Sequence, residues 1–116
     1  ILSISSVRSI LGMPEGYIAY CASKGALNAY TVQTACEWAK YGINCNVIAP
    51  TFTRTPINAF QLDDQAFYDK LITRIPMNRI CTVKDIAGAV VYLCSDAASF
   101  ITGQVLVLDG GLTVAQ

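Results

Sequence analysis

The stretch Ile43-Asn-Cys-Asn-Val-Ile-Ala49, closed by Pro50, decides the fold class of this sequence. It is rich in β-branched residues, which predicts a buried strand that ends at the proline. A helical pattern over residues 17–41 precedes it, with Gly42 as a stop signal, and residues 1–5 predict an earlier strand. The helical pattern leaves few polar gaps, so we expect most of this helix to be covered. A strand, a helix and a second strand in this order indicate parallel strands joined by a helical crossover.

The remaining segments continue this alternation. Residues 63–75 have an amphipathic pattern that predicts a second helix. Thr82 and Asp85 have the spacing of a capping box, which predicts a third helix over residues 82–94. A last strand is predicted over residues 104–108. Alternating strands and helices are typical of an α/β fold, in which helices cover a mostly parallel sheet.

The composition fits one compact domain and excludes several classes of function. The chain has 116 residues, of which 53% are hydrophobic and 14% charged, so it is not a disordered tail. Eight basic residues balance eight acidic ones, which provides no basic surface for nucleic acid or an anionic membrane. The sequence has no histidine, which excludes a histidine general base or metal ligand. The longest apolar runs, such as Ala89–Cys94, are too short to span a membrane.

The five cysteines indicate neither a metal site nor a disulfide framework. They are widely spaced, without a Cys-x-x-Cys pair, at Cys21, Cys36, Cys45, Cys81 and Cys94. Most of them fall within apolar patterns, so we expect buried, reduced thiols in a cytoplasmic protein.

We expect the chain to be part of a larger domain. It begins at Ile1, already within a predicted strand, and three strands make a small sheet for so apolar a sequence. A parallel sheet is covered by helices on both faces. These segments therefore call for neighbours that the sequence does not supply.

Tyr20 and Lys24 are the sharpest candidates for chemistry. At positions i and i+4 of the predicted helix, their side chains lie on one face. A phenol has an ordinary pKa near 10, and a neighbouring ammonium group favours the phenolate. Such a pair can give or take a proton, although the same spacing also occurs in surface pairs without a catalytic role.

Hydroxyl groups follow two strands at the points where these strands end. Ser5 and Ser6 close the first strand, and a loop rich in threonine, residues 50–55, follows the second. Ligands of doubly wound sheets bind beyond the carboxyl ends of the strands. We therefore expect these hydroxyl groups to lie near Tyr20, although a serine at such a position can also serve only as a turn cap.

A set of motifs occurs in one order along the chain: Ile4-Ser-Ser6, Tyr20-Cys-Ala-Ser-Lys24, Asn46-Val-Ile-Ala-Pro50, Thr55, Asp85-Ile-Ala87, Leu93-Cys-Ser-Asp96 and Thr102-Gly-Gln-Val-Leu-Val-Leu-Asp-Gly-Gly111. Together they resemble the C-terminal half of a classical short-chain dehydrogenase/reductase, and the resemblance covers nearly the whole chain. It implies a Rossmann-type doubly wound parallel sheet in three α/β/α layers, with residues 1–116 as the C-terminal part of a single domain.

The resemblance implies that Ser6, Tyr20 and Lys24 are catalytic. Tyr20 matches the acid/base that gives or takes the hydroxyl proton. Lys24 matches the lysine that favours the phenolate and holds the nicotinamide ribose. Ser6 matches the serine that polarises the substrate carbonyl, and it is preferred to Ser5 because the family's serine closes this strand motif.

The resemblance also implies that the chain contacts NAD or NADP. The expected contacts are Tyr20, Lys24, Pro50, Thr51, Thr53 and Thr55. Thr51 stands where the family usually has glycine, so the turn after Pro50 is expected to differ locally. The function implied is an NAD(P)-dependent oxidoreductase that interconverts a secondary alcohol and a ketone.

Two alternatives stay open at this point. The family's glycine-rich dinucleotide loop lies in its N-terminal half and has no counterpart in the sequence. In the first alternative, the chain is a catalytically incomplete fragment or half-domain, inactive without the missing half. A cofactor-sensing protein without redox activity is a further possibility, but the presence of Ser6, Tyr20 and Lys24 argues against it.

The expected partner is a small alcohol or ketone. The loop of residues 6–17 is similar to that of family members acting on sugar acids and polyols, and residues 56–76 match the variable substrate lid. Residues 102–111 match a strand that often lies at a subunit interface, which implies a homodimer or homotetramer. Arg8 and Arg54 are candidates for binding a carboxylate, but we interpret both as solvated surface charges. The apolar lid residues are interpreted as core packing: Phe60, Leu62, Phe67 and Leu71.

Overall fold

A three-stranded parallel sheet organises the computed structural model, which describes residues 1–14 and 16–115. In spatial order, the strands are β1 (Leu2–Ile4), β2 (Asn46–Pro50) and β3 (Val105–Leu108). The α-helices are α1 (Ile18–Trp38), α2 (Ala59–Leu62), α3 (Gln65–Ile72) and α4 (Val83–Leu93). Both α1 and α4 pack against β2, so the predicted α/β fold with parallel strands is confirmed.

The central strand, β2, is completely buried, as its β-branched sequence predicts. The prediction began it at Ile43, but strand pairing begins only at Asn46. The Asn46 amide group donates a hydrogen bond to the Ile101 carbonyl at 2.8 Å, and its Oδ1 accepts one from the Gln104 N–H at 3.0 Å. This buried side chain joins the start of β2 to the segment that leads into β3.

The strand β2 ends at Pro50 as predicted, and Pro50 itself still pairs with Leu108 of β3. Proline has no N–H to donate to a neighbouring strand. The next residue provides that donor, because the Thr51 N–H hydrogen-bonds to the Leu108 carbonyl at 3.0 Å. The sheet therefore extends to the point where the threonine-rich loop begins.

Helix α1 is continued by a 3-10 turn, Ala39–Tyr41, and Gly42 follows in the left-handed conformation with a φ of 72°. That ending agrees with the prediction. The expectation that most of α1 is covered is wrong: its buried residues are Thr31, Thr34 and Ala35, whereas Ile18 is 87% exposed. No described segment packs over the outer face of the helix.

The helix predicted for residues 63–75 is present as α3, but it is shorter, and a separate short helix, α2, precedes it. The short helix α2 was not predicted, and α3 begins after Asp64 rather than at Asp63. The Asp64 carboxylate accepts hydrogen bonds from the Ala66 and Phe67 N–H groups at 3.0 and 3.3 Å, which makes it the N-cap. Helix α3 ends at Ile72, so the predicted end at residue 75 is also wrong.

The capping box of α4 is present as predicted, with hydrogen bonds in both directions between Thr82 and Asp85. Asp85 also accepts two hydrogen bonds from the Arg79 guanidinium group, at 2.8 and 3.0 Å. The hydrogen bonds from Arg79 and then those from Thr82 hold the pKa of the Asp85 carboxyl well below its usual range. Arg79 thus fixes the start of α4 through the capping residue.

A hydrophobic core lies beyond the carboxyl ends of β2 and β3, beneath the short helices. Its buried members are Val7, Leu62, Leu71, Ile75, Ile80 and Leu112. Leu62 and Leu71 therefore belong to the core, as we interpreted them, but Phe60 is exposed. Cys45 and Cys81 are buried, as expected. The expectation is wrong for Cys36, which is exposed on α1, and for Cys94, which is exposed directly after α4.

Candidate active site

One cavity of about 410 Å³ lies at the carboxyl ends of β1 and β2 and beside the first turns of α1. All seven residues expected to be catalytic or to contact the cofactor line it: Ser6, Tyr20, Lys24, Pro50, Thr51, Thr53 and Thr55. These residues come from three separate segments of the chain. The parallel sheet brings them together because both strands end at the same edge.

The ammonium group of Lys24 lies on the same side of α1 as the ring of Tyr20. Its Nζ is 5.8 Å from the ring centroid, as the one-turn spacing requires. Lys24 Nζ also donates a hydrogen bond of 3.0 Å to the carbonyl of Ile4. Tyr17 packs its ring edge-on against Tyr20, with the centroids 6.2 Å apart, which limits the positions open to the phenol. Tyr20 is nevertheless 43% exposed and lines the cavity.

The two serines at the end of β1 have different partners. The Ser5 hydroxyl donates a hydrogen bond of 3.1 Å to the Lys24 carbonyl, which ties the strand to α1. The Ser6 hydroxyl accepts one of 3.2 Å from the Arg8 N–H and so caps a 3-10 turn, Val7–Ser9. Within the described residues, nothing accepts the proton of the Ser6 hydroxyl. Ser6 can therefore still donate to a ligand oxygen.

A short chain of hydrogen bonds holds the turn that carries Ser6. The Ser9 hydroxyl donates to the Ser6 carbonyl at 2.6 Å, and the Asn28 amide group donates to the Ser9 hydroxyl at 2.8 Å. Asn28 lies two turns after Tyr20 on α1, so both sides of the site are fixed to the same helix. Sequence reasoning missed this contact, because nothing local links Ser9 to a residue 19 positions away.

Asn58 shapes the loop that follows β2, and it was also missed. Its Oδ1 accepts hydrogen bonds from the Thr55 N–H at 2.8 Å and from the Thr55 hydroxyl at 3.2 Å. Its amide group donates to the Thr53 carbonyl at 2.8 Å. The Thr53 hydroxyl in turn donates to the Thr51 carbonyl at 3.1 Å. The sequence Thr-x-x-Asn, typical of local side-chain turns, was the available signal.

Thr51 provides a test of whether the site suits a polar ligand. Its hydroxyl is buried at the cavity wall and has no hydrogen-bond partner among the described residues. A buried hydroxyl without a partner is costly, and a polar group of a bound molecule would satisfy it. The residues present therefore fit a polar ligand such as the expected nicotinamide cofactor.

The two arginine candidates have opposite environments. Arg54 is an exposed residue that pairs with Asp63 at 2.7 Å, which agrees with its interpretation as a surface charge. Arg8 is only 6% exposed and lines the cavity next to Ser6, so its interpretation as a solvated charge is wrong. Its Nη1 donates to the Gly12 carbonyl at 3.0 Å, and this contact folds the side chain back under the loop.

Residues 1–14 and 16–115 contain neither a candidate metal centre nor a candidate membrane-spanning helix. No three His, Cys, Asp or Glu side chains there are grouped so that they could hold a metal ion. None of the helices in this part of the chain is both long and apolar enough to cross a membrane.

The chain matches known proteins along almost its whole length. A family model described as enoyl-(acyl carrier protein) reductase matches residues 1–113. A tropinone reductase homologue from Arabidopsis thaliana is 43% identical over 114 residues, which cover 98% of this chain and 43% of the relative. An uncharacterized oxidoreductase from Mycobacterium tuberculosis is 41% identical over 117 residues, covering 97% of this chain and 43% of the relative.

Solved structures share the fold. A gluconate 5-dehydrogenase from Burkholderia cenocepacia in complex with NADP and tartrate has a TM-score of 0.92 and 41% identity, covering 99% of this chain and 45% of that one. A 4-hydroxyisoleucine dehydrogenase complexed with NADH has a TM-score of 0.94 and 35% identity, and the match covers 99% of this chain and 47% of that one. An oxidoreductase of the short-chain dehydrogenase/reductase family from Burkholderia thailandensis has a TM-score of 0.90 and 31% identity.

The chain thus spans less than half the length of these relatives, and it matches them from end to end of its own sequence. The family model, the related sequences and the shared parallel sheet agree with the resemblance carried by the motifs. The chain belongs to the short-chain dehydrogenase/reductase family.

Proposed function

We propose that this chain provides the catalytic part of an NAD(P)-dependent oxidoreductase that interconverts a secondary alcohol and a ketone. The observation that carries the proposal is the cavity at the ends of β1 and β2, where Tyr20, Lys24 and Ser6 meet the threonine-rich loop. Solved relatives with NADP or NADH bound support the choice of cofactor.

In this proposal, each side chain has a separate part in moving the proton. The Ser6 hydroxyl donates to the substrate oxygen, since its lone pair already accepts from the Arg8 N–H. The Tyr20 hydroxyl gives its proton to that oxygen during reduction and takes one during oxidation. The ammonium group of Lys24, 5.8 Å from the ring centroid of Tyr20, places a positive charge beside the group that moves the proton.

The cofactor supplies the hydride chemistry when it is bound. Residues of this chain suited to hold its nicotinamide half are Lys24, Pro50, Thr51, Thr53 and Thr55. The hydroxyl group of Thr51, which lacks a partner in the described residues, is the one best placed to receive a polar group. Asn58 keeps the loop in shape for that contact, because it binds both Thr53 and Thr55.

A second candidate concerns the isolated chain. Because the chain spans 43–47% of its relatives' lengths, we propose that residues 1–116 are the C-terminal part of one Rossmann-type domain and are inactive alone. The exposed apolar side chains of α1, such as Ile18 and Val32, support packing against further protein, including a second subunit in a homodimer or homotetramer.

The test compares the full-length polypeptide with residues 1–116 alone. We expect reduction of NAD or NADP by a secondary alcohol only with the full-length polypeptide, and a cofactor-induced rise in Tm only there. Tyr20→Phe should lower kcat by ~10² or more, because a general acid/base is lost. Tyr41→Phe, an exposed position beyond α1, is the matched control and should change kcat little. Near-normal kcat in Tyr20→Phe would contradict the proposal.

A further inference from the structure

We propose that Arg8 binds a carboxylate of the substrate, which makes the substrate a hydroxy acid and its product the corresponding keto acid. The proposal rests on the function proposed above and adds to it a substrate class and the residue that selects it. In the oxidation, the C–H hydride passes to NAD or NADP, the hydroxyl proton passes to Tyr20, and the carboxylate is unchanged.

The burial of Arg8 is the first argument. A guanidinium group stays charged under all ordinary conditions and has five N–H donors. Arg8 is only 6% exposed, and its one described side-chain hydrogen bond goes to a neutral carbonyl, that of Gly12. In the part of the chain that the structure describes, both ion pairs belong to other arginines, Arg54 and Arg79. A buried charge is costly unless an opposite charge or strong hydrogen bonds compensate it.

The charge of the cavity is the second argument. Two cationic side chains, Arg8 and Lys24, line it, and its described lining contains no Asp or Glu. A cleft with charges of one sign attracts ligands of the opposite sign. Lys24 already donates to the Ile4 carbonyl, whereas Arg8 has most of its donors left. An arginine also matches a carboxylate with two parallel hydrogen bonds, a geometry that lysine lacks.

The position of Arg8 relative to Ser6 is the third argument. The Arg8 N–H donates to the Ser6 hydroxyl at 3.2 Å, so the two residues belong to one turn. Both residues line the same cavity, so a molecule whose oxygen binds the Ser6 hydroxyl lies close to Arg8. The Gly12 contact fixes the guanidinium group in advance, which reduces the entropy lost when a ligand binds.

The kinetic test uses the full-length enzyme and two substrates that differ only in the charged group, gluconate and glucitol. We expect the unaltered enzyme to prefer gluconate in kcat/KM. Arg8→Gln should raise KM for gluconate by about 10- to 100-fold, and it should lower kcat/KM for gluconate at least about 10-fold more than kcat/KM for glucitol. Arg8→Lys should recover only part of the loss. Arg54→Gln, which removes an exposed arginine outside the cavity, should leave the kinetic constants for gluconate and for glucitol unchanged.

A binding measurement separates this inference from the proposed function. Malonate has two carboxylates and no alcohol, so its calorimetric titration requires no turnover. We expect it to bind at least 10-fold more weakly to Arg8→Gln than to the unaltered enzyme. If no alcohol is oxidised but this difference is found, the proposed function fails and the carboxylate site stands. If malonate binds both proteins equally, the carboxylate site is wrong, whatever the activity.

Two other results would overturn the proposal. A higher KM for NADP in Arg8→Gln, with KM for gluconate unchanged, would assign Arg8 to a cofactor phosphate. The same loop also carries Glu15, which lies outside the described residues. If Glu15→Gln lowered Tm as much as Arg8→Gln and malonate affinity were unchanged in both, Arg8 would be an internal ion-pair partner. If only Arg8→Gln has a lower Tm, the unaltered enzyme still tests the proposal, because its preference for gluconate over glucitol is measured without any variant.

Discussion

The ammonium group of Lys24 donates a hydrogen bond of 3.0 Å to the backbone carbonyl of Ile4, the last residue of β1. This bond holds the amine at the point where the strand meets the cavity. One residue later, the Ser5 hydroxyl donates to the Lys24 carbonyl at 3.1 Å. The lysine is thus attached to the end of the strand by both its side chain and its backbone, and its charge stays near the Tyr20 ring.

Substitution of Lys24 should therefore affect both charge and position. We expect Lys24→Met to lower kcat/KM by ~10² or more, since it removes the cation beside the proton-transfer group. Lys24→Arg keeps the charge, but its planar group does not reproduce the compact contact with Ile4, so it should recover only part of the activity. Steady-state kinetics of the full-length enzyme measure this. Lys40→Met, at a position next to the exposed Tyr41 ring, is the control. Full activity in Lys24→Arg would contradict a fixed amine position.

The two serines should separate into a structural and a catalytic residue. Ser5→Ala removes one hydrogen bond to α1, so we expect a loss of about 1 kcal/mol in unfolding free energy and a kcat within a few-fold of normal. Ser6→Ala removes the donor that we propose for the substrate oxygen, so kcat should fall by about 10²-fold or more. Denaturant unfolding and kinetics on the same samples check both. The reverse order of the two kcat values would show that Ser5 is the catalytic serine.

Asp109 should make stability depend on pH. Its carboxylate accepts hydrogen bonds from the Gly111 N–H at 2.9 Å and the Thr113 N–H at 2.6 Å, in the turn after β3. Burial raises the pKa of Asp109, but hydrogen bonds from Thr113 and Gly111 outweigh it, so the pKa lies below its ordinary value of 3.8. A lowered folded-state pKa stabilises the fold above the ordinary value, and this contribution is lost as pH falls through the folded-state value.

We therefore expect Asp109→Asn to reduce the unfolding free energy by about 1 to 3 kcal/mol at pH 7, since it removes hydrogen bonds to a charged group. The difference from the unaltered protein should shrink as the pH falls below about 4. Urea unfolding of both full-length proteins at several pH values measures this difference in unfolding free energy. Asp96→Asn, at an exposed position, provides the comparison. A difference that grows in acid would contradict the assigned contacts.

The sequence predicted what is encoded locally or by regular spacing. The β-branched run of β2, the Gly42 helix stop and the Thr82–Asp85 capping box all depend on neighbouring residues, and each is present. The clustering of the candidate residues also follows from a simple rule, because parallel strands place their carboxyl ends together. The candidate catalytic and cofactor-contacting residues therefore line one cavity.

The contacts that sequence reasoning missed depend on the tertiary structure. Arg8 is buried and hydrogen-bonds to Gly12 within the loop, and the Asn28–Ser9 hydrogen bond joins positions far apart in the chain. The predicted start at Asp63 lies two residues before Gln65, the first residue of α3, because Asp63 and Asp64 are equally good caps by composition. The burial of α1 was overestimated because an apolar pattern shows that a surface prefers to be covered, without showing what covers it.

The position of β1 at one side of the sheet affects how residues 1–116 behave alone. Within the described residues, β1 pairs only with β2, so the backbone groups along its other side are open to another strand. Ile1 and Ile4 are also exposed there. An open strand edge next to apolar side chains is a template for intermolecular β-pairing. The isolated polypeptide is therefore expected to aggregate at high concentration.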